Sequence, residues 1–383
     1  MRADELALEA QVALQEGRLE DARRLFKRAV DEPGASSEHV HGLAAVELQL
    51  GEPLLAKGLA EEALRLTRGE TGPDLDARRA RLAITLAAAS EDLDDLEAAL
   101  GAYRQALAWQ AGFPEALQGM GYLLLASGDL PGGLRELEAF VETPGPEILR
   151  EGARSYIAAL GRFLASETEP RVFLEAHRRR YVAFFDAMAR KQEALGWIAE
   201  AARMHRQPDG SLVPLLAEGA RPYAAVRVDL VDPRTGQAGL IGEQPMLVGV
   251  KGYEVLAEAP ALLPWPGVTF DLRASTQAPW DQFPIQILLE DQNPLDVVDP
   301  LIGEWYRAGY DGAFGTREGG RFHYISDPER VRSCGVLYHV DLGRAEFRAI
   351  EDLVARLSSL HDAHRIARVV LGRGHLPAWP VSC

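Results

Sequence analysis

Gly17-Arg18-Leu19-Glu20-Asp21-Ala22-Arg23-Arg24-Leu25-Phe26-Lys27-Arg28-Ala29-Val30-Asp31-Glu32-Pro33-Gly34 reads as a turn, a helix and a stop. Glycine supplies the positive φ that ends a preceding helix, predicted from Asp4 to Glu16, and Pro33-Gly34 close the second helix, Leu19 to Asp31. Ala22, Leu25, Phe26, Ala29 and Val30 share one helical face, where small residues allow close approach and Phe26 fills the gap between neighbouring hairpins. The pattern returns 34 residues later as Ala56, Ala60 and Ala63. Ala99, Tyr103 and Ala106 are answered at the same spacing by Gly133, Leu137 and Phe140. A fixed period of this length predicts stacked helix pairs.

Gly17, Ala22, Phe26, Ala29 and Pro33 together resemble the tetratricopeptide repeat family. The second repeat keeps Gly51, Ala56 and Ala63, with Ala60 in the aromatic place. The third keeps Tyr103, has Asp94 at the turn and carries an insertion from Arg68 to Asp76; the fourth has Gly128-Asp129. The resemblance covers about residues 1–141. It implies a scaffold that holds another protein along the concave face made by the first helix of each pair. Register transfers that face to Gln11, Gln15, His41, Gln49, Gln118 and Tyr122. The lysine, arginine and asparagine of grooves that grip a C-terminal carboxylate do not stand at these six positions.

A length of 383 residues predicts more than one domain. The expected fold class is multidomain, α + (α+β): helical repeats over 1–166, a long capping and connecting helix over 167–206, and an α+β domain over 207–383. Helices are expected at about Pro146 to Ala165 and Pro170 to Met204. From Gln207 onward prolines, glycines and β-branched residues replace alanine-rich helices. Extra strands are expected within 221–273: Tyr223 to Val231, Met246 to Leu256 and Val268 to Arg273. Over 284–372 the order is Ile285 to Glu290 (strand), Pro294 to Ala308 (helix, Asn293 as N-cap), Arg321 to Ser326 and Gly335 to Leu342 (strands), Ala345 to Leu360 (helix), Ala367 to Leu371 (strand). That βαββαβ string is ferredoxin-like.

A net charge of −16 repels phosphate backbones and anionic lipid, so no nucleic-acid partner is expected; His177-Arg178-Arg179-Arg180 spreads around a helix instead of forming a patch. No membrane insertion is expected, because no apolar run approaches a span. With a charged start and two cysteines, Cys334 and Cys383, the expected place is the reduced cytoplasm of a bacterium. His339 and Asp341 share one face of a strand and are the weak candidates for a catalytic centre. His361, His364 and His375 lack the glutamate of a metalloprotease helix, and neither a phosphate loop nor a nucleophile elbow is present, so no metal or cofactor is expected. Trp265 and Trp280, set between prolines, offer either a stiff binding loop or packing. The expected function is a non-enzymatic adaptor recruiting a protein partner. The alternatives are an enzyme centred on His339 and Asp341, its substrate delivered by the repeats, and a small-ligand sensor.

Overall fold

The computed structural model describes residues 2–194, 203–206, 212–215, 250, 252–257, 259–290, 293–315, 321–331 and 334–375. Their contacts divide into two units: the chain up to Thr168 together with Ala259–Pro264 and the stretch from Gly374, and a second made of Glu169–Glu258 and Trp265–Arg373.

In the first unit α1 (Arg2–Gln15) pairs with α2 (Leu19–Asp31), α3 (Ser37–Gln49) with α4 (Pro53–Leu66), α5 (Leu75–Asp92) with α6 (Leu96–Trp109), and α7 (Pro114–Ser127) with α8 (Leu130–Val141). A further helix, α9 (Glu147–Ala165), packs on α8. This is a tetratricopeptide-like solenoid. Each hairpin turns on one left-handed residue: Gly17 (φ 74), Gly51 (φ 78), Asp94 (φ 54) and Gly128 (φ 91). Two hydrogen bonds close each turn in the same way. The amides of Gly17 and Arg18 donate to Leu14 and Ala13, those of Gly51 and Glu52 to Leu48 and Glu47, those of Asp94 and Asp95 to Glu91 and Ser90, and those of Gly128 and Asp129 to Leu125 and Leu124, at 2.8 to 3.1 Å. Carbonyls orphaned at the helix ends are thereby satisfied.

The aromatics predicted to fill the inter-hairpin gaps do so against glycines. A Cβ on Gly42 would stand 2.2 Å from the Phe26 ring, and one on Gly119 would stand 2.3 Å from the Tyr103 hydroxyl. The Tyr103 hydroxyl donates to Glu91, whose carboxyl burial pushes upward. Within the fourth hairpin a Cβ on Gly133 would meet the Gly121 carbonyl oxygen at 2.7 Å. Between the second and third pairs the inserted loop runs through a short 3-10 turn, Thr67–Gly69. Glu70 then accepts from the Ser37 amide at 3.1 Å and the Ser37 hydroxyl at 3.0 Å, at the first turn of α3, while Arg78 donates to it at 2.6 Å.

The second unit contains α10 (Arg171–Ala194), the antiparallel pair β1 (Arg203–Arg206) and β2 (Leu212–Leu215), then, past β3 (Leu262–Pro264) of the helical unit, β4 (Leu272–Ser275), β5 (Phe283–Leu289), α11 (Pro294–Tyr310), β6 (Tyr324–Ile325), β7 (Glu329–Val331), β8 (Gly335–Asp341), α12 (Arg348–Ala363) and β9 (Ile366–Leu371). The sheet runs β4-β9-β5-β8-β6, with β7 also on β8; β4 lies parallel to β9 and the other pairings are antiparallel. Val336, Tyr338 and Val340 pair with Ile287, Ile285 and Phe283 on one face. There Tyr338 donates to Asp299 of α11 at 3.1 Å, and the Trp305 indole donates to the Ala349 carbonyl of α12 at 2.9 Å. Helix α10 adds Leu174 and Tyr181 to the same core; Tyr181 donates to Asp341 and Arg178 donates to the Ala345 carbonyl at 2.7 Å. All seven residues of β5 are buried, hence its unbroken apolar reading around Gln286.

Several expected elements differ. Glu254–Ala257 is a 3-10 turn instead of the end of a strand, and the strand expected from Val268 begins at Leu272, after the Asp271 carboxylate has bridged Arg273 and Arg368. The strand expected over Arg321 to Ser326 shrinks to Tyr324–Ile325. Asn293 precedes α11 but its side chain caps nothing; it donates to Asp296 and accepts from Arg330. The strand expected at Tyr223 to Val231 lies outside the described residues. Cys334 is buried and disulfide-bonded, which corrects the expectation of reduced thiols.

Two outcomes follow from this packing. Gly133→Ala forces a Cβ onto a backbone oxygen, and the overpacking, about 1–3 kcal/mol, outweighs the roughly 1 kcal/mol by which alanine favours a helix, so the denaturant midpoint should fall. The second concerns His177 of α10, whose Nε2 accepts from the Ala278 amide at 3.0 Å and lies 3.1 Å from the Thr276 carbonyl oxygen. Burial pushes this imidazole down to about 4. Between that value and about 6.5 the unfolded chain binds a proton that the folded chain refuses, so stability should fall as pH drops through this window, by at most about 3 kcal/mol. Urea titrations at stepped pH should show this slope in the wild type and its loss in His177→Gln.

Candidate ligand groove

The first helices of successive pairs touch, α1 on α3 and α3 on α5. Four of the positions expected from register lie on α1 and α3. Gln11, Gln15 and Gln49 are exposed, and His41 is half-buried with its Nε2 2.8 Å from the Thr85 hydroxyl of α5. Burial, reinforced by the Arg81 guanidinium, pushes the His41 imidazole below its usual range, so at neutral pH it is an uncharged hydrogen-bonding group. Counting back from the Asp94 turn by the offsets of the other pairs gives Ile84, Ala88 and Asp92, so no register signal points to Thr85 or the exposed Arg81.

Beyond α5 the expected positions have different surroundings. Gln118 and Tyr122 of α7 are half-buried, and Tyr122 meets the Tyr156 ring of α9 edge-on, with centroids 5.6 Å apart. Tyr156 is buried and donates to the Ala259 carbonyl at 3.2 Å. Strand β3 packs on α7, and Ala261, Leu262 and Leu263 have no exposed surface. The His375 amide donates to the Ala126 carbonyl at 3.0 Å, and the His375 ring lies 3.5 Å from the Asp94 carboxylate. Gly374 fits between Leu262 and Ala126, where a Cβ would stand 2.5 Å and 3.1 Å from their atoms. The six positions therefore fall into an open, polar stretch (Gln11, Gln15, His41, Gln49) and a stretch at Tyr122 and Tyr156 overlain by distant parts of the chain.

In the second unit His339 and Asp341 share the face opposite Val340 but go to different partners. His339 lies 4.0 Å from Glu329, whereas Asp341 lies 3.2 Å from the His323 Nδ1 and accepts from the Tyr181 hydroxyl at 3.3 Å and the Gly343 amide at 2.8 Å. His323 was not singled out in the sequence; the pairing of Tyr324 with Asp341 is what brings it there. Gly343, at φ 53, presses on its other ring nitrogen, where a Cβ would come within 2.8 Å. This geometry fastens the corner after β8. His361 accepts the Ile366 amide at 3.1 Å and packs on Phe270, while His375 belongs to the helical unit. Trp280 is buried and donates to the Gly343 carbonyl at 3.1 Å, and Trp265 stacks on Phe347, so both tryptophans pack.

No family model matches the chain, and no curated protein matches it. Among solved structures it is similar to YrrB, described as a TPR protein with an unusual peptide-binding site, at 20% identity over 40% of this chain and 73% of that one, with a TM-score of 0.32. It is also similar to pilF of Pseudomonas aeruginosa, at 16% identity over 42% of this chain and 85% of that one (TM-score 0.25), and to MamA of Desulfovibrio magneticus RS-1, at 16% over 37% and 92% (TM-score 0.21).

Tyr156→Phe removes the hydrogen bond to the Ala259 carbonyl and should lower stability by about 1 kcal/mol in a denaturant titration, with helical content by circular dichroism unchanged.

Proposed function

We propose that the chain is a protein-interaction adaptor whose open groove, lined by α1, α3 and α5, holds an extended segment of a protein partner. The observation that carries this reading is the set of polar side chains on these helices. Three exposed glutamine amides and a neutral His41–Thr85 pair offer donors and acceptors to a peptide backbone. In this reading the second unit docks or regulates. The order β9-β5-β8-β6, antiparallel throughout, with α11 and α12 on one face, supports a ferredoxin-like core to which β4 and α10 are added. A ferredoxin-like sheet carries no function by itself, and the adaptor reading rests on the groove.

A photo-activatable crosslinker placed at Gln49 in the source cell should trap a defined protein partner, and the same group at Arg28 of α2 should not. Gln15→Ala combined with Gln49→Ala should reduce the partner retained by the tagged full chain roughly tenfold, about two lost hydrogen bonds. Equal trapping at both positions, with retention unchanged in the double variant, would remove the groove from the account.

A further inference from the structure

The stretch of the groove between α7 and α9 already holds something ligand-like. Ala259-Pro260-Ala261-Leu262-Leu263-Pro264 is short, uncharged and proline-bounded, and lies 103 residues along the chain from the tyrosine that reads its backbone. Its contacts fall on α9 and α7, the helices of Tyr156 and Tyr122. The Tyr156 hydroxyl takes the Ala259 carbonyl, β3 packs on α7, and the carbonyl of Ala126, one turn beyond Tyr122, is taken by the His375 amide. A hydroxyl on a main-chain carbonyl with aliphatic side chains buried alongside is the chemistry by which a groove reads an extended peptide without regard to charge. Gly374 then closes over Leu262 at a distance that no side chain would permit.

We infer that residues 259–264 are a built-in occupant of the groove, a tethered pseudo-ligand, and that the stretch beneath them is a second peptide site selective for extended, uncharged, aliphatic and proline-bearing segments. The inference rests on the groove reading above and gives that groove two subsites: an open polar one over α1, α3 and α5, and an aliphatic one over α7 and α9 that the chain fills itself. Tethering sets the competition. A tethered segment acts at an effective concentration of about a millimolar, so a free peptide with the same contacts, offered at micromolar concentration, is outcompeted roughly a thousandfold. Only a partner that also engages the open stretch gains enough to displace the occupant, which makes its release dependent on a bivalent ligand.

The probe is a fluorescein-labelled synthetic peptide of residues 259–264, titrated with the full chain and followed by fluorescence anisotropy. Wild type should give no saturable binding at micromolar concentrations. Leu262→Asp, which expels the occupant, should bind the peptide at least tenfold more tightly than wild type, and adding Tyr156→Phe should weaken that binding by about fivefold. Leu262→Ala, a milder change that keeps an apolar residue in place, should shift affinity in the same direction by a smaller factor. Absence of peptide binding to the variants that retain wild-type helical circular dichroism would overturn the inference, as would binding to wild type as tight as to the variants. Because the probe reads only the α7 and α9 stretch, its failure leaves the test at Gln15 and Gln49 standing, and failure there leaves this one standing.

Discussion

A left-handed residue at the end of each first helix is the constraint on which the helical unit depends. Gly17, Gly51, Asp94 and Gly128 reverse the chain with the same pair of 2.8 to 3.1 Å hydrogen bonds. An L side chain in that region costs on the order of 1 kcal/mol, which three of the four turns avoid with glycine. With the turn fixed, the two arms of a hairpin must descend side by side. Phe26 and Tyr103 then have one place to go, the glycines Gly42 and Gly119 of the next first helix. In the first two pairs that contact accompanies the approach of α1 to α3.

This much was legible in the chain because every link is local or falls at a fixed spacing. Turn glycine, alanine pair and aromatic lie within one hairpin, and Phe26 to Gly42 is the same step as Tyr103 to Gly119. The helices between 294 and 363 were legible for a similar reason, each having an apolar face. What escaped was non-local. Nothing near Tyr156 in sequence announces Ala259, and nothing near His177 announces Ala278. Short strands also escaped. Arg321 to Ser326 alternates well enough for a strand, yet only two residues pair with β8 before the chain turns away. Asp341 was found but assigned the wrong neighbour, because strand alternation reports which residues share a face and says nothing of the side chain that arrives from the adjacent strand.

Polar groups in the interior are met mostly by main chain. The indoles of Trp280 and Trp305 reach carbonyls, His177 takes an amide, and Arg178 takes the Ala345 carbonyl. Such partners keep their identity whatever the side chains around them become, so each bond fixes a segment's position more firmly than its type. Others are met by side chains, Tyr338 by Asp299, Tyr103 by Glu91 and Glu47 by Arg23. Glu47 is almost wholly buried; its Oε1 accepts from Arg23 Nε of the preceding hairpin at 3.0 Å and its Oε2 lies 2.8 Å from Arg23 Nη2 as an ion pair, so a buried charge joins the first two pairs.

The loop inserted between the second and third pairs carries a related obligation. Glu70 belongs to residues that a strict 34-residue period would not contain, yet it takes the amide and hydroxyl of Ser37 at the opening of α3 and is itself held by Arg78. A deletion that restored the ideal period would therefore not return the solenoid to a simpler ancestor. It would strip a helix start of its anion and leave Arg78 with one carboxylate, Glu38, where it now has two. The irregularity has become a structural dependency, and descent with further drift would preserve the extra residues for that reason, whatever first introduced them.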